Sequence, residues 1–350
     1  CGNCNTNPKE WWLKQKFGRL VLIDKDLPIE IAFNSNNSLN FKCNCGTEKQ
    51  FVVCNVTSGK STSCGCGQLF PGSVSKTSKS MFEELKETIP NLQFSVRTLI
   101  ANREIDFYHP DSQVAIEYNG LSWHSEKILK DRDLKRDFEK YLQLKKLGIR
   151  YIGIFSDEWK NHKDVFTDII LNTCGITKGS KRVYNFEIVE TDKFEFQPYH
   201  DQFHYLTGRQ VHCTLYLLAK YKDEVMGGWA FKKINNDTLD WSRAFWNHNY
   251  KAWNPHEKAL KYAIKKFPEI FKVITFSDNR LFNGSMYQNL GFVKTKEITP
   301  DYEYTNGFVR KHKFNFRVKA GISEVGEAAK QGFYRIFDCG KTKWEYKVNP

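Results

Sequence analysis

The sequence predicts an α/β multidomain protein in three parts: a small four-cysteine module, an α/β core and an α+β domain. Three observations carry this. Two CxC pairs, Cys43-Asn44-Cys45 and Cys64-Gly65-Cys66, bracket an 18-residue insert. Two short alternating runs, Glu104–Tyr108 and Val114–Tyr118, flank the turn signal His109-Pro110-Asp111-Ser112. From Tyr184 onward the pattern changes to several β-type runs around one clear helix start at Asn254-Pro255. The boundaries read as a module over 1–70, a basic linker over 71–80, a core over 81–177, a third domain over 178–318 and a tail over 319–350.

The chain has 350 residues, a formal net charge of +13 and 40% hydrophobic residues, which favours folded domains over a disordered chain. The cationic excess favours a polyanionic partner, with anionic lipid as the other option. No apolar run reaches membrane-spanning length. The first residues, CGNCNTNPKEWW, do not read as a signal peptide, and the Cys at position 1 leads us to expect residues upstream. The ten cysteines, mostly in short pairs, fit a reducing compartment with metal binding better than a disulfide framework.

In the first module, Cys43, Cys45, Cys64 and Cys66 form two tight knuckles, a pattern suited to a closed tetrahedral Zn²⁺ site. Gly46, Gly65 and Gly67 let the backbone turn toward the thiolates. The pattern resembles the small zinc modules appended to phage endonucleases. Cys1 and Cys4 are either free thiols or half of a second site, with Cys54 or upstream residues as partners. Trp11, Trp12, Lys14, Lys16 and Arg19 either touch a nucleic acid or cover a small core.

In the core, Met81–Ile89 has helical spacing and Pro90 ends it. Leu92–Leu99 reads as a first strand leading into the hairpin. Asp106 and Glu117 lie on the hairpin's neighbouring strands, and His124 follows a bend at Asn119-Gly120. Carboxylates for a hard cation and a base for water are the parts of divalent-metal phosphodiester hydrolysis. Asp131–Leu147 reads as a helix stopped by Gly148, with Asp137 and Lys140 sharing a face. Ile149–Phe155 reads as a buried strand, and Asp164–Asn172 as a closing helix.

The segments EIDFY, AIEYNGLSWH, GIRYI and DEW resemble the very-short-patch repair endonucleases and the related homing endonucleases of the EDxHD group, over roughly Met81–Gly175. The resemblance implies a restriction-endonuclease-like core that cuts DNA. It implies Asp106 as the Mg²⁺ ligand, His124 as the base and Asp137 as the last acidic residue. Glu117 then ligates or supports. The resemblance also implies a glutamate on the first helix. The usual register falls on Met81, which leaves Glu83 or Glu84 for that role, or leaves it vacant. Lys140 is a candidate phosphate contact.

In the third domain, strands are expected over 186–190, 211–221, 225–232, 239–245 and 273–276. A helix is expected from Pro255 to about Phe267. The segment Asn283-Gly284-Ser285-Met286-Tyr287-Gln288-Asn289-Leu290-Gly291-Phe292, with this strand order, is similar to the GNAT-type acetyltransferases. Those enzymes cradle a pyrophosphate on a glycine-containing loop. The matching loop here, Trp246–His256, has no glycine. We therefore expect a repurposed DNA-binding domain with no acetyl-CoA, and Arg209, Lys232, Lys233, Arg243 and Lys251 as phosphate contacts. The tail around Gly332–Trp344 reads as a hairpin that docks back on the fold.

Together these readings predict a phage-type homing endonuclease in the cytoplasm of an infected bacterium. It would use catalytic Mg²⁺, structural Zn²⁺ and double-stranded DNA. The alternatives are a GNAT-type acyltransferase with a DNA-binding N-terminal half, or a catalytically inactive DNA-binding protein.

Overall fold

The structure, a computed structural model, describes residues 6–24, 30–32, 35–44, 47–64, 76–101, 103–129, 134–176, 180–317 and 323–348. The chain forms two compact units, Cys1–Lys79 and Ser80–Pro350.

The first unit comprises β1 (Thr6–Pro8), α1 (Lys9–Lys14), β2 (Leu20–Leu22), β3 (Glu30–Ala32), β4 (Ser38–Cys43), β5 (Glu48–Val52) and α2 (Val53–Thr57). β1 pairs with β3, and β2, β4 and β5 make a three-stranded sheet. Trp12 is fully buried with Leu20, Phe41 and Val53, and its indole N–H donates to the Ile31 carbonyl at 3.2 Å. Trp11 packs edge-on against it with ring centroids 5.5 Å apart. Of the two readings of this aromatic cluster, Trp12 follows the core one. Cys43 is buried at the end of β4, and Cys64 packs against the same cluster. Cys1, Cys4, Cys45 and Cys66 lie outside the described residues.

The boundary between the units falls within α3 (Lys76–Lys86), and the second unit continues with β6 (Gln93–Ile100), β7 (Arg103–His109), β8 (Val114–Asn119), α4 (Arg136–Lys146), β9 (Arg150–Phe155), α5 (Ser156–Asn161) and α6 (Lys163–Thr173). The strands form a sheet in the order β6-β7-β8-β9. Only β8 and β9 run parallel, joined through α4 as a parallel pair requires. β8 is buried along its whole length, as a strand covered on both faces must be. Met81, Phe82 and Leu85 of α3, with Ile89 just after it, pack with Phe107, Ile116, Ile152 and Ile170. Tyr141 and Leu144 of α4 pack with Ile105, Ala115 and Tyr151 in a separate cluster. Gly148, at φ +74°, provides the left-handed turn between α4 and β9.

The remainder contains β10 (Lys181–Val183), β11 (Glu187–Thr191), α7 (Lys193–Phe203), β12 (Leu215–Tyr221), β13 (Glu224–Lys233), β14 (Thr238–Trp246), β15 (Tyr250–Ala252), α8 (Pro255–Lys266), β16 (Lys272–Asp278), α9 (Ser285–Asn289) and β17 (Val293–Ile298). After these come β18 (Tyr302–Thr305), β19 (Arg310–Lys311), α10 (Glu324–Lys330), β20 (Tyr334–Phe337) and β21 (Lys341–Lys347). A seven-stranded sheet runs β11-β12-β13-β14-β16-β21-β17. α8 packs Ala259, Leu260 and Ala263 on one face with Trp229, Phe231 and Trp241. α7 packs Phe196 on the other with Tyr216, Leu218 and Phe245. The Asp192 carboxylate caps α7, accepting the amides of Phe194 and Glu195 at 2.8 and 2.9 Å.

The chain between β17 and β21 carries a small subdomain with the sheet β19-β18-β20 and its own core of Tyr304, Phe316, Ala328 and Phe333. The stretch read as a docking tail hairpin is thus divided between two sheets. β20 joins the subdomain, and β21 enters the large sheet between β16 and β17. The subdomain grips the four-stranded half. Ser125 bridges Ile336, and Arg335 makes an ion pair with Glu126 at 2.5 Å.

Candidate functional site

Five of the expected site residues gather around β7, β8 and α4. The Tyr118 amide donates to Asp106 Oδ2 at 2.8 Å, and the Asp106 amide donates to Glu117 Oε1 at 3.3 Å. Lys140 reaches in from α4 and donates to Glu117 Oε2 at 2.5 Å and to the Glu104 carbonyl at 2.9 Å. His124 Nδ1 and Asp137 Oδ2 are hydrogen-bonded at 2.7 Å. Burial and then the Glu117 charge push the Asp106 carboxyl up to about 8, against the pull of Lys140 and the Tyr118 amide. Burial opposes ionisation of Asp137 too, but His124, Arg136 and Lys140 outweigh it and hold that carboxyl at about 2. Burial disfavours the Lys140 ammonium, yet Glu117, Asp106 and Asp137 raise its pKa above the ordinary lysine value.

Other expected residues lie elsewhere. Glu83 is exposed on α3. Glu84 pairs with Lys163 and accepts from Ser80 Oγ at 3.3 Å. Lys140 is no surface phosphate contact, because its ammonium is turned inward onto Glu117. Arg209 pairs with Glu303, and Lys233 with Glu269. Lys232 and Lys251 are exposed, and Arg243 is half-buried.

A second feature lies in the seven-stranded sheet. β14 and β16 pair in parallel only from Thr238 to Asp240 and from Lys272 to Ile274. β14 then runs on to Trp246 and β16 to Asp278 without pairing to each other. A cavity of about 940 Å³ occupies the resulting crevice, walled by Trp241, Arg243 and Phe245 of β14, Asp278 of β16, Tyr287 of α9 and Arg150 of β9. The first turn of α8 reaches it through His256. Burial pushes that imidazole down to about 4, so it is neutral at physiological pH, and its Nδ1 accepts the Trp229 indole N–H at 2.9 Å. Burial also raises the Tyr287 phenol above its ordinary value. None of the crevice residues except Arg243 was among the candidates. The available signal was the order strand, helix with Pro at N1, strand. That order predicts a parallel pair, and ligands bind at the carboxyl ends of such strands.

No protein-family model matches this chain, and no curated protein does. Solved structures do. A GNAT family acetyltransferase from Elizabethkingia anophelis with acetyl-CoA bound is 16% identical, covering 47% of this chain and 99% of that one, with a TM-score of 0.30. The Bacillus subtilis acetyltransferase in complex with CoA is 14% identical over 47% of this chain and 100% of its own, with a TM-score of 0.29. An IAA acetyltransferase from Bacillus cereus is 14% identical over 47% and 100%, with a TM-score of 0.30. At these identities the likeness is one of fold, GNAT-like over about half of the chain.

The expectation was a metal-dependent DNA endonuclease with hydrolase chemistry; the three solved structures named above are acetyltransferases instead. The sequence led us to expect no acetyl-CoA, whereas two of these solved structures hold acetyl-CoA or CoA. Among the described residues no group of three or more His, Cys, Asp and Glu could hold a metal ion, against Mg²⁺ on Asp106. Of the cysteines expected to hold Zn²⁺, Cys43 and Cys64 are described, and Cys45 and Cys66 lie outside the described residues. At Asp106 the physical reason is visible: burial and Glu117 push its carboxyl up to about 8, and the neighbouring Glu117 is already paired with the Lys140 ammonium. Among the described residues no helix is long and apolar enough to cross a membrane.

Proposed function

We propose that the crevice between β14 and β16 is the donor site of an acyltransferase using acetyl-CoA or a related acyl thioester. The observation that supports this reading is the divergence of two parallel strands after three paired residues. Diverging strands leave backbone N–H and C=O groups facing the gap, and such groups seek partners. An extended ligand with its own amides, such as a pantetheine arm, can supply them. α8 begins beside the crevice, and its N-terminal end carries partial positive charge suited to phosphate. Pro255 at N1 withholds one amide there, and exposed Lys251 adds a cation on the preceding loop.

The reaction breaks the thioester C–S bond and forms a bond from the acyl carbon to a nucleophilic acceptor atom. The acceptor's proton leaves, and the thiolate departs with a proton gained. Tyr287 is protonated at neutral pH and lines the crevice, so it can give that proton.

The test is calorimetric titration of the full chain with acetyl-CoA and with CoA. We expect one site of micromolar affinity, lost in Ala244→Trp, whose indole fills the crevice beside half-buried Ala244. Absence of binding by the unmodified chain at millimolar acetyl-CoA would overturn the reading.

One observation favours a second centre in the four-stranded half, the His124–Asp137 hydrogen bond beside Asp106, Glu117 and Lys140. An imidazole oriented by a buried carboxylate is suited to proton transfer. Histidine-selective acylation of the full chain checks this reading. His124 should react faster in Asp137→Asn than in the unmodified chain, and equal rates would count against it.

A further inference from the structure

Two guanidinium groups line the crevice, those of Arg150 and Arg243. Arg150 opens β9, and its Nη2 donates to the Leu281 carbonyl at 2.6 Å. Burial pushes its pKa down to about 10, and no carboxylate opposes that shift. Arg243 donates from Nη1 to the Ser242 carbonyl at 2.7 Å, while its buried Nε has no hydrogen-bond partner. Among the described residues neither side chain makes an ion pair. Asp240 is the carboxylate that feels the Arg243 charge; it accepts Ser242 Oγ at 2.6 Å and makes no ion pair with Arg243, and burial raises its pKa against the pull of Ser242, Arg243 and Lys232. The other interior arginines differ, since Arg280 and Arg310 both bind Glu158. Asp278 and Asp301, which also line the cavity, have their own cations in Arg280 and Lys313, and Asp338 is pushed up to about 6 by burial. Two half-buried guanidiniums without an ion pair are the groups in this cavity that suit an anionic occupant.

The faces of β14 locate that occupant. Phe245 packs on Phe196 on the α7 face, whereas Trp246 packs on Trp229 and His256 on the α8 face. Arg243 stands two residues before Phe245 and shares the α7 face. Arg150 comes to the same side. Leu281, whose carbonyl it holds, precedes Phe282, and the Phe282 ring packs on Tyr205 just after α7, centroids 5.4 Å apart. The α8 end of the crevice suits the donor's phosphates, so these guanidiniums face away from them.

We propose that Arg150 and Arg243 form an oxyanion subsite that binds a carboxylate of the acceptor substrate. The subsite rests on the acyltransferase reading of the same crevice. A donor phosphate is the other source of such an anion, and the two separate experimentally.

The probes are phenylacetate, its uncharged counterpart phenylacetamide, and acetyl-CoA, each titrated into the full chain and into Arg150→Gln, Arg150→Lys and Arg243→Gln. Melting curves confirm that each variant is folded. We expect phenylacetate to bind and phenylacetamide not to. Arg150→Gln and Arg243→Gln should each weaken phenylacetate about 30-fold or more, the scale for stripping one partner from a buried charge pair. Arg150→Lys should recover part of that loss, and each glutamine should weaken phenylacetate at least about tenfold more than it weakens acetyl-CoA. Equal binding of phenylacetate and phenylacetamide overturns the subsite, as does phenylacetate affinity indifferent to both glutamines. Loss of acetyl-CoA instead of phenylacetate overturns the acceptor assignment in favour of a donor phosphate. Arginine-dependent phenylacetate binding without any acetyl-CoA binding upholds the anion subsite and removes the acyltransferase reading beneath it.

Discussion

Arg280 and Glu158 meet in a two-point ion pair, Nη1 to Oε2 at 2.6 Å and Nη2 to Oε1 at 2.9 Å, with both side chains buried. Glu158 stands on α5 behind the four-stranded sheet, and Arg280 follows β16 of the seven-stranded one. Arg280 also exchanges backbone contacts with β9. Its Nη1 donates to the Gly153 carbonyl at 2.7 Å, and its own carbonyl accepts the Gly153 amide at 2.9 Å. The free edge of β9 is thereby covered by the other half of the unit. Arg310 adds a bond to Glu158 Oε1 at 2.8 Å, so one carboxylate holds two guanidiniums.

Glu158→Ala leaves Arg280 and Arg310 buried without their shared anion and should cost about 3–5 kcal/mol. Burial pushes the Glu158 carboxyl up, but Arg280 and Arg310 outweigh it and hold its pKa below the ordinary 4.5. A depressed carboxyl contributes stability that is fully present above its unfolded pKa. That stability is lost as pH falls through the folded value. The penalty of Glu158→Ala should therefore be complete at pH 6 and shrink below about pH 4.5. Urea unfolding of both proteins across pH checks this, and a penalty that grows on acidification would refute it.

Gly284 lies at φ +78° in the wall of the crevice, and a Cβ there would collide with the buried ring of Trp344. Trp344 cannot easily retreat, since its indole N–H is held by Ser277 Oγ at 2.9 Å. Gly284→Ala combines a disfavoured backbone with overpacking and should cost about 2–3 kcal/mol. Thermal unfolding measures it. A neutral result would mean that Trp344 has room to move.

Asp137→Asn tests the electrostatics around His124. A carboxyl held at about 2 contributes stability above its ordinary 3.8 and loses it as pH falls toward 2. At pH 7 the substitution should cost about 2 kcal/mol, and near pH 2 almost nothing. Matched unfolding curves at pH 7 and pH 2.5 provide the comparison.

The hairpin was legible because alternation and the Pro110-Asp111 turn are local signals. The turn after α4 was legible through Gly148. Lys140 was not legible. Its position beside Asp137 on one helical face reads as a solvated pair, and the Glu117 that turns it inward is 23 residues away. Arg150 is hidden at the head of an apolar run. Arg243 reads as one more surface base, because sequence does not show which cations lack a partner. The crevice was discounted on a glycine-free loop, although its origin is the pairing of β14 with β16, a long-range fact. The subdomain between β17 and β21 was invisible for the same reason. β20 and β21 are neighbours in sequence yet belong to different sheets.

Asp106 gives the opposite pH dependence to Asp137. Its carboxyl is pushed up to about 8, first by burial and then by Glu117. Below about pH 3.8 it is protonated in both the folded and the unfolded chain and changes nothing. Between about 3.8 and 8 the folded chain keeps a proton that the unfolded chain releases, so this group makes stability fall as pH rises. Above about 8 both states are ionised and the full penalty stands. Asn at this position is neutral at every pH, and its side-chain carbonyl can still accept the Tyr118 amide. Asp106→Asn should therefore match the unmodified chain near pH 4 and exceed it increasingly up to pH 8, by an amount on the order of a few kcal/mol. The opposing arrangement is an ionised Asp106 held by the Lys140 ammonium. In that case the asparagine variant would be the less stable protein at pH 8, and Lys140→Met would abolish the difference. Urea unfolding of the three proteins at pH 4, 6 and 8 decides which charge state the cluster holds.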